Sequence, residues 1–348
     1  MALFGRRKPT VGLDIGSGLV KAAVIDHSGA EPELIGVAVA PLSADAIVDG
    51  EVMDPAMVAE AIRSCLERLS VKSSDVVTAV GGRDVIVKKI QAERASEKEA
   101  REVMRWEAQQ HVPFDDLDSV ELDFQILDAD DSRNPQMSVL LVAAKRELVE
   151  AKLQLLAEAG ANAAVVDVDA FALHNAFELN HGEAMSGIVA LVNIGHEVTN
   201  INIVEDGVPV LTRDVAVGTR RLREDLQRER GLSVDDANAL LTGYDRSPHV
   251  DAVLPERVEE IALTVERAAA FLFSNMRAGA ALRSVYTAGG GSRTPGLNAA
   301  LAQRLRVPVE QANPLASLSV KPGALGNLIV DDLAPLLMLP VGLALRKN

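Results

Sequence analysis

The chain has 348 residues, 48% hydrophobic and 24% charged, more than one small core organises, so two lobes of similar size are expected. A formal net charge of −15 argues against a nucleic-acid binder, and one cysteine, Cys65, excludes an internal disulfide and fits a reducing compartment. Aromatic residues make up only 3%, so the core must be built mainly from Ala, Val, Leu and Ile.

Met1–Lys8 is basic but lacks an apolar h-region, so no secretory signal is read there. Val11–Ile25, VGLDIGSGLVKAAVI, reads as strand, tight turn, strand. Glu33–Ala40 is extended, and a helix follows with Asp54 as cap, Pro55 at its first position and Leu69 at its end. Cys65 lies at helical spacing with Ile62 and Leu69 and reads as a buried structural thiol. Asp75–Val80 is a short strand ending at Gly81-Gly82.

The block 85–164 reads as an insertion with the order strand (Val85–Ile90), helix (Ser96–Gln110), strand (Val120–Leu127), strand (Met137–Ala143), helix (Glu147–Ala159), strand (Ala163–Val168). Ser96 and Glu99 form a capping box, the order is that of a split βαβ unit, and Asp128–Pro135 is its hairpin loop. Ala190–Val204, ALVNIGHEVTNINIV, then repeats the first hairpin's pattern at a constant offset of 179 residues. Asp206-Gly207 turns into Val208–Asp214, and a helix follows Gly218. Ser284–Leu297, SVYTAGGGSRTPGL, is a strand running into three glycines, with Thr294-Pro295 set to cap and start a helix. Leu333–Leu345 is too short to span a membrane and is broken by Pro335 and Pro340, so a soluble protein is expected.

The echo separates two halves and predicts duplicated, mixed α/β lobes. In Asp14-Ile-Gly16-Ser17-Gly18, a glycine turn lets amides and the Ser17 hydroxyl reach phosphate oxygens. Asp14 at its rim suits Mg²⁺ held through water, and Lys21 is near enough to offset phosphate charge. Taken alone, the same residues also make a plain hairpin with a surface Asp. Asn193-Ile-Gly195-His196-Glu197, followed by Thr199, is the second turn, and two such turns would grip a polyphosphate from opposite sides. Gly16 and Gly195 sit where a hairpin needs a left-handed backbone or the close approach of a ligand. His196 reads as a turn residue rather than a metal ligand, because the six histidines are scattered. Gly218-Thr219 opens a helix whose amides could face phosphate or ribose, while its many charges mark a solvated face. Gly289-Gly290-Gly291 would let an adenosine moiety lie against bare backbone with Arg293 beside base or ribose; the bland alternative is a flexible loop.

In this order the three motifs resemble the phosphate-1, phosphate-2 and adenosine motifs of the actin/Hsp70/hexokinase superfamily. Within it the chain resembles the type IV pilus assembly PilM family, related to the cell-division protein FtsA. Trp106-Glu107-Ala108-Gln109-Gln110-His111-Val112-Pro113-Phe114 is similar to a Trp-Glu…Pro-Phe signature of that family's inserted subdomain. Asp167–His174 is similar to its lobe-linking segment. The resemblance implies an α/β, two-lobed actin-like (ribonuclease H-like, duplicated) ATPase fold with an inserted FtsA-type subdomain. The units would be a first lobe over 1–84, the insert over 85–164, an interlobe helix over 165–185, a second lobe over 186–330 and a C-terminal helix over 331–348 returning to the first lobe.

It further implies ATP and Mg²⁺ between the lobes and a place at the cytoplasmic face of the inner membrane. The implied partner is the cytoplasmic N-terminal tail of PilN, gripped beside the insert, with links to pilus motor ATPases and other platform proteins. Membrane association would run through that partner, since the chain ends at Arg346-Lys347-Asn348 without the amphipathic anchor of FtsA. Asn193 departs from the Asp common at this place in the superfamily, while Asp169 occupies the place of an acidic water-positioning residue, so slow or no hydrolysis is expected. Two other readings stay open. One is a small-metabolite kinase, for which the first lobe offers no convincing acidic cluster; the other is an FtsA-like filament former.

Overall fold

The computed structural model describes residues 9–69, 75–112, 116–128, 134–273 and 281–346. The chain opens with β1 (Thr10–Ile15), β2 (Leu19–Asp26) and β3 (Glu33–Pro41), an antiparallel meander, followed by the two-residue strands β4 (Ile47–Val48) and β5 (Glu51–Val52). Then come α1 (Pro55–Leu69) and β6 (Asp75–Val80), which pairs parallel with β1. β1 is buried along nearly its whole length, as a central strand covered on both faces must be. Asp54 starts α1 by accepting the Met57 amide at 3.0 Å. Cys65 is buried on that helix and its thiol donates to the Val20 carbonyl at 3.4 Å; burial pushes its pKa up to about 11.

Next are β7 (Val85–Glu93), α2 (Glu97–His111), β8 (Val120–Ile126), β9 (Gln136–Lys145), α3 (Arg146–Glu158) and β10 (Asn162–Val168). α2 carries both halves of the Ser96–Glu99 capping box. These six elements do not form one split βαβ sheet. β7, β9 and β8 pair antiparallel, with Ala100, Met104 and Ala108 of α2 in their core, whereas β10 pairs parallel with β6 in the first sheet. α3 goes with β10: Leu155 and Leu156 pack with Ile62 and Cys65 of α1. The connection order is that of a split βαβ unit, but the partner of the last strand is fixed by tertiary packing. Of the expected hairpin loop, residues 129–133 lie outside the described residues.

α4 (Asp169–His181) leads to the second half, with β11 (Ile188–Ile194), β12 (Thr199–Glu205), β13 (Val208–Val215), α5 (Thr219–Arg230), α6 (Val234–Thr242), α7 (Pro248–Phe273), β14 (Leu282–Ala288), α8 (Leu297–Leu305) and β15 (Val309–Gln311). The chain closes with β16 (Ser319–Val320), α9 (Val330–Leu333) and α10 (Met338–Ala344). The first sheet runs β10-β6-β1-β2-β3-β16 and the second β15-β14-β11-β12-β13-β7-β9-β8. Each therefore holds the same five-strand programme, a meander with two parallel strands added beside its first. The echo is exact in register as well: Asp14 pairs with Lys21, and Asn193 with Asn200.

α4 and α10 fill the space between the sheets, where Phe177, Leu173, Leu337 and Val341 meet Ile25, Val77, Val189 and Leu191. The approach is close enough that a Cβ on Gly342 would run into the Ala172 carbonyl, and one on Gly12 into the Pro340 carbonyl. The apolar stretch near the C-terminus is therefore core, and no helix among the described residues is long and apolar enough to cross a membrane. A further join links the halves: β7 meets β13 through the pair Lys88–Leu211, beside a Lys89–Glu205 ion pair at 3.4 Å.

Candidate functional site

The two glycine turns are built alike. The Gly16 amide donates to the Leu19 carbonyl at 3.1 Å, and the Gly195 amide to the Val198 carbonyl at 3.0 Å. Neither glycine is left-handed; instead the turn's own backbone leaves little room, since a Cβ on Gly195 would crowd the Val198 carbonyl and one on Gly16 the Leu19 carbonyl. Among the described residues no hydrogen bond consumes the amides of Ser17, Gly18, His196 or Glu197. The turns meet: the open side of Gly18 lies against the His196 ring, where a Cβ would stand 3.0 Å away.

Both turns wall one cleft of about 1080 Å³, just above the roughly 300–1,000 Å³ usual for ligand sites. It brings together Asp14, Gly16, Ser17, Gly18, Lys21, Asp169, Asn193, Gly195, His196, Glu197, Gly289, Gly290 and Arg293. Asp14, 8% exposed at the end of β1, pairs with Lys21 across the ladder at 2.5 Å. Asp169 opens α4 with its carboxylate against Gly81, which has no Cβ to block it. Burial, then the Asp14 charge, pushes Asp169 up to about 7, against the opposing pull of Lys152.

Asn193 is tied down. Its amide donates to Asn200 at 3.2 Å, and Asn200 in turn donates to Asp214 at 2.8 Å. Burial holds Asp214 above the usual carboxylate range. Behind this chain of amides lies a pocket of about 30 Å³ lined by Asp169, Asn200, Asn202 and Asp214, space on the order of one or two waters. His196 bonds the Thr219 hydroxyl at 3.1 Å, and burial, with Arg223 and Arg220 nearby, lowers its pKa.

Three expected residues do not reach the cleft wall. Thr199 is fully buried and donates to the Val217 carbonyl at 2.7 Å. Gly218 lies against the His196 carbonyl, where a Cβ would collide, and so lets α5 dock on the second turn through Thr219 to Gly195 at 3.1 Å and Arg220 to His196 at 2.8 Å. Gly291 packs on Ile194. Gly289, with φ +78°, also needs to be glycine because Ile194 and Asn193 leave no room. Arg293 is held by Asp332 at 2.5 Å and by the Thr242 carbonyl at 3.1 Å, and Leu336 packs near Gly290 in the same cleft. Thr294-Pro295 sits in the turn before α8, which starts only at Leu297 after a left-handed Gly296.

A bridge joins the two halves beside the second turn. Glu197, 8% exposed, accepts from Arg220 at 2.6 Å and from the Asp49 amide at 3.0 Å, and Arg220 also reaches Asp45 at 3.2 Å. Asp45 and Asp49 flank β4 and both have positive φ, at 74° and 51°, a conformation that Asp tolerates better than most residues. The motifs alone did not point to Lys152, Arg223, Asn200 or Asp214. Asn200 was within reach, since the hairpin register sets it opposite Asn193 as Lys21 is set opposite Asp14. Away from the cleft, Trp106 stands 71% exposed on α2, and Pro113 and Phe114 of its motif lie outside the described residues. Asp167 is buried near Arg346, and His174 ties α4 to the Gly207 carbonyl at 2.8 Å.

Comparison with known proteins agrees with this architecture. A solved PilM–PilN type IV pilus biogenesis complex aligns with 98% of this chain and 98% of its own, at 27% identity and a TM-score of 0.84. Ethanolamine utilization protein EutJ from Carboxydothermus hydrogenoformans aligns over 97% and 90%, at 21% identity and a TM-score of 0.58. MreB5 of Spiroplasma citri, solved bound to AMPPNP, aligns over 97% and 95%, at 12% identity and a TM-score of 0.53. The last two speak for the fold alone, an α/β, two-sheet actin-like one. A family model described as type IV pilus assembly protein PilM matches residues 12–348, and the chain belongs to that family.

Proposed function

We propose that this pilus assembly protein holds ATP and Mg²⁺ between its lobes and acts as a nucleotide-loaded adaptor rather than a fast enzyme. One observation carries the reading: two glycine turns from separate hairpins touch at Gly18 and His196 and wall the same cleft. Their uncommitted amides suit phosphate oxygens, and the Gly289-Gly290 turn with Arg293 suits the nucleoside. Among the described residues no group of three His, Cys, Asp or Glu side chains forms a metal cage. Mg²⁺ seldom needs one: it keeps waters and takes one or two carboxylates plus phosphate oxygens. Asp14 fits that part. The bound ion would neutralise phosphate charge; Asp14 would orient its waters and Lys21 would hold Asp14 in place.

The expectation of slow or absent turnover rests on Asn193, whose amide is engaged with Asn200 where a carboxylate would add charge and basicity. Asp169 remains as the candidate for positioning water. The partner we infer is PilN, the protein named with PilM in the similar solved complex, and we place the contact on its cytoplasmic N-terminal tail, with links to motor ATPases and other platform proteins and a place at the inner membrane through that partner. The working units we infer are two actin-like lobes with an insert projecting beside the cleft.

Denaturing the purified protein and identifying what it releases tests the reading, with about one adenine nucleotide per chain expected. Asp14→Ala should abolish Mg²⁺-dependent ATP retention without changing the circular dichroism spectrum. Unchanged ATP affinity in that variant removes Asp14 from the metal site. Turnover near the typical enzyme rate of about 10 s⁻¹ contradicts the adaptor role.

A further inference from the structure

The cations of the cleft differ in whether the protein already uses them. Lys21 is spent on Asp14 at 2.5 Å, Lys145 on Asp84 at 2.7 Å, and Arg293 on Asp332. Lys152 is not. It lines the cleft from α3, half-buried, and among the described residues no hydrogen bond or ion pair within 4.0 Å engages it. Asp169 and Asp14 act on it only through their fields, while burial disfavours its ammonium and lowers its pKa. Arg223 of α5 also faces the cleft, with its buried Nε unpartnered, but from beside His196 on the opposite lobe.

The position of Lys152 in its helix sharpens the point. Residues three and four apart share a helix face, so Lys152 lies on the row of Leu155 and Leu156, which are buried in the first lobe. A lysine on an inward row, without a counter-ion in contact, is an expensive choice for a structural residue. An anionic ligand placed between Asp14 and Asp169 would turn that cost into a charge-assisted bond. With the nucleoside placed at Arg293 and the Gly289-Gly290 turn, as proposed above, the part of the cleft near Lys152 would receive the far end of the phosphate chain.

We propose that Lys152 binds the terminal phosphate of a nucleoside triphosphate, so that the cleft distinguishes tri- from diphosphate. The inference rests on the nucleotide reading above. A triphosphate would then draw α3 toward the phosphate turns, whereas a diphosphate would leave Lys152 without a partner.

The experiment is calorimetric titration of the full chain, stripped of nucleotide, with AMPPNP and with ADP in Mg²⁺, for wild type, Lys152→Met and Lys152→Arg. Loss of one charge-assisted contact predicts that Lys152→Met weakens AMPPNP binding by about ten- to a hundredfold. ADP affinity should stay within about twofold, and Lys152→Arg should recover part of the AMPPNP loss. If both nucleotides weaken equally, or neither changes, Lys152 only balances Asp14 and Asp169, and the inference falls while the nucleotide reading stands. Wild type that binds neither nucleotide overturns the reading and the inference together.

Discussion

Asp169 is the residue whose charge state is least settled by the fold alone. Burial and the nearby Asp14 charge push its pKa in the fold up to about 7 from the ordinary 3.8, so the folded state takes up a proton more readily than the unfolded chain. The carboxyl therefore favours folding while protonated, and stability falls as pH rises from about 4 to about 7, then levels off. In metal- and nucleotide-free protein, Asp169→Asn should remove that slope and raise stability at pH 8 by at most about 4 kcal/mol. Thermal melts of the two proteins between pH 5 and 8 provide the check, and parallel curves would show that Asp169 carries no such proton. Asp14, the glycine turns and Asn193 were legible in the sequence because their chemistry is local: a strand end, a short turn and a ladder partner. Lys152 was not. Nothing beside it signals a site, and only the packing of α3 against α1 turns its row inward.

Among the elements, the β4–β5 hairpin is small but well placed. Residues beside its first strand, Asp45 and Asp49, reach Arg220 and Glu197 of the other half, so it straps the halves together along the cleft. Arg220→Ala removes two of these contacts and leaves the buried Glu197 carboxylate without its strongest partner. Release of a fluorescent ATP analogue should speed up by about tenfold, in line with losing one charge-assisted hydrogen bond, as followed by stopped flow. An unchanged off-rate would mean that the hairpin does not gate the site. The strap could not be read from sequence, because β4 and β5 are two residues each and its contacts lie 148 and 175 positions away along the chain. Longer elements were legible: α1 runs from Pro55 to Leu69 and β6 from Asp75 to Val80, as cap, proline and apolar run foretold. β10 was misassigned to the insert for a different reason. A parallel strand carries no local mark of its neighbour, and the pairing with β6 is settled by α3 and α1 packing beneath.

At the scale of the molecule, the two halves share one strand order and one hairpin register, and two helices are wedged between them. The wedge depends on missing side chains. Gly342→Ala would drive a methyl group into the Ala172 backbone and should cost about 2–3 kcal/mol. Gly182→Ala, at a site with open space around it, should stay within about 0.5 kcal/mol of wild type. Chemical denaturation of both variants tests the pair, and equal losses would show that the α4–α10 contact is looser than described. The duplication was legible from fifteen residues in each half. The interleaving of the C-terminal segment between the sheets was not, because Gly12 and Gly342 are 330 positions apart and only their contact surfaces explain them.

The Lys88–Leu211 join has a mechanical side. β7 is covalently continuous with one half through Gly82, yet its backbone is stitched to the other half by a single rung. A rotation of the halves would load that rung, and with it the sheet that carries α2 and its exposed Trp106. The indole is the chain's one tryptophan, so any change in its surroundings would be read without interference from a second one.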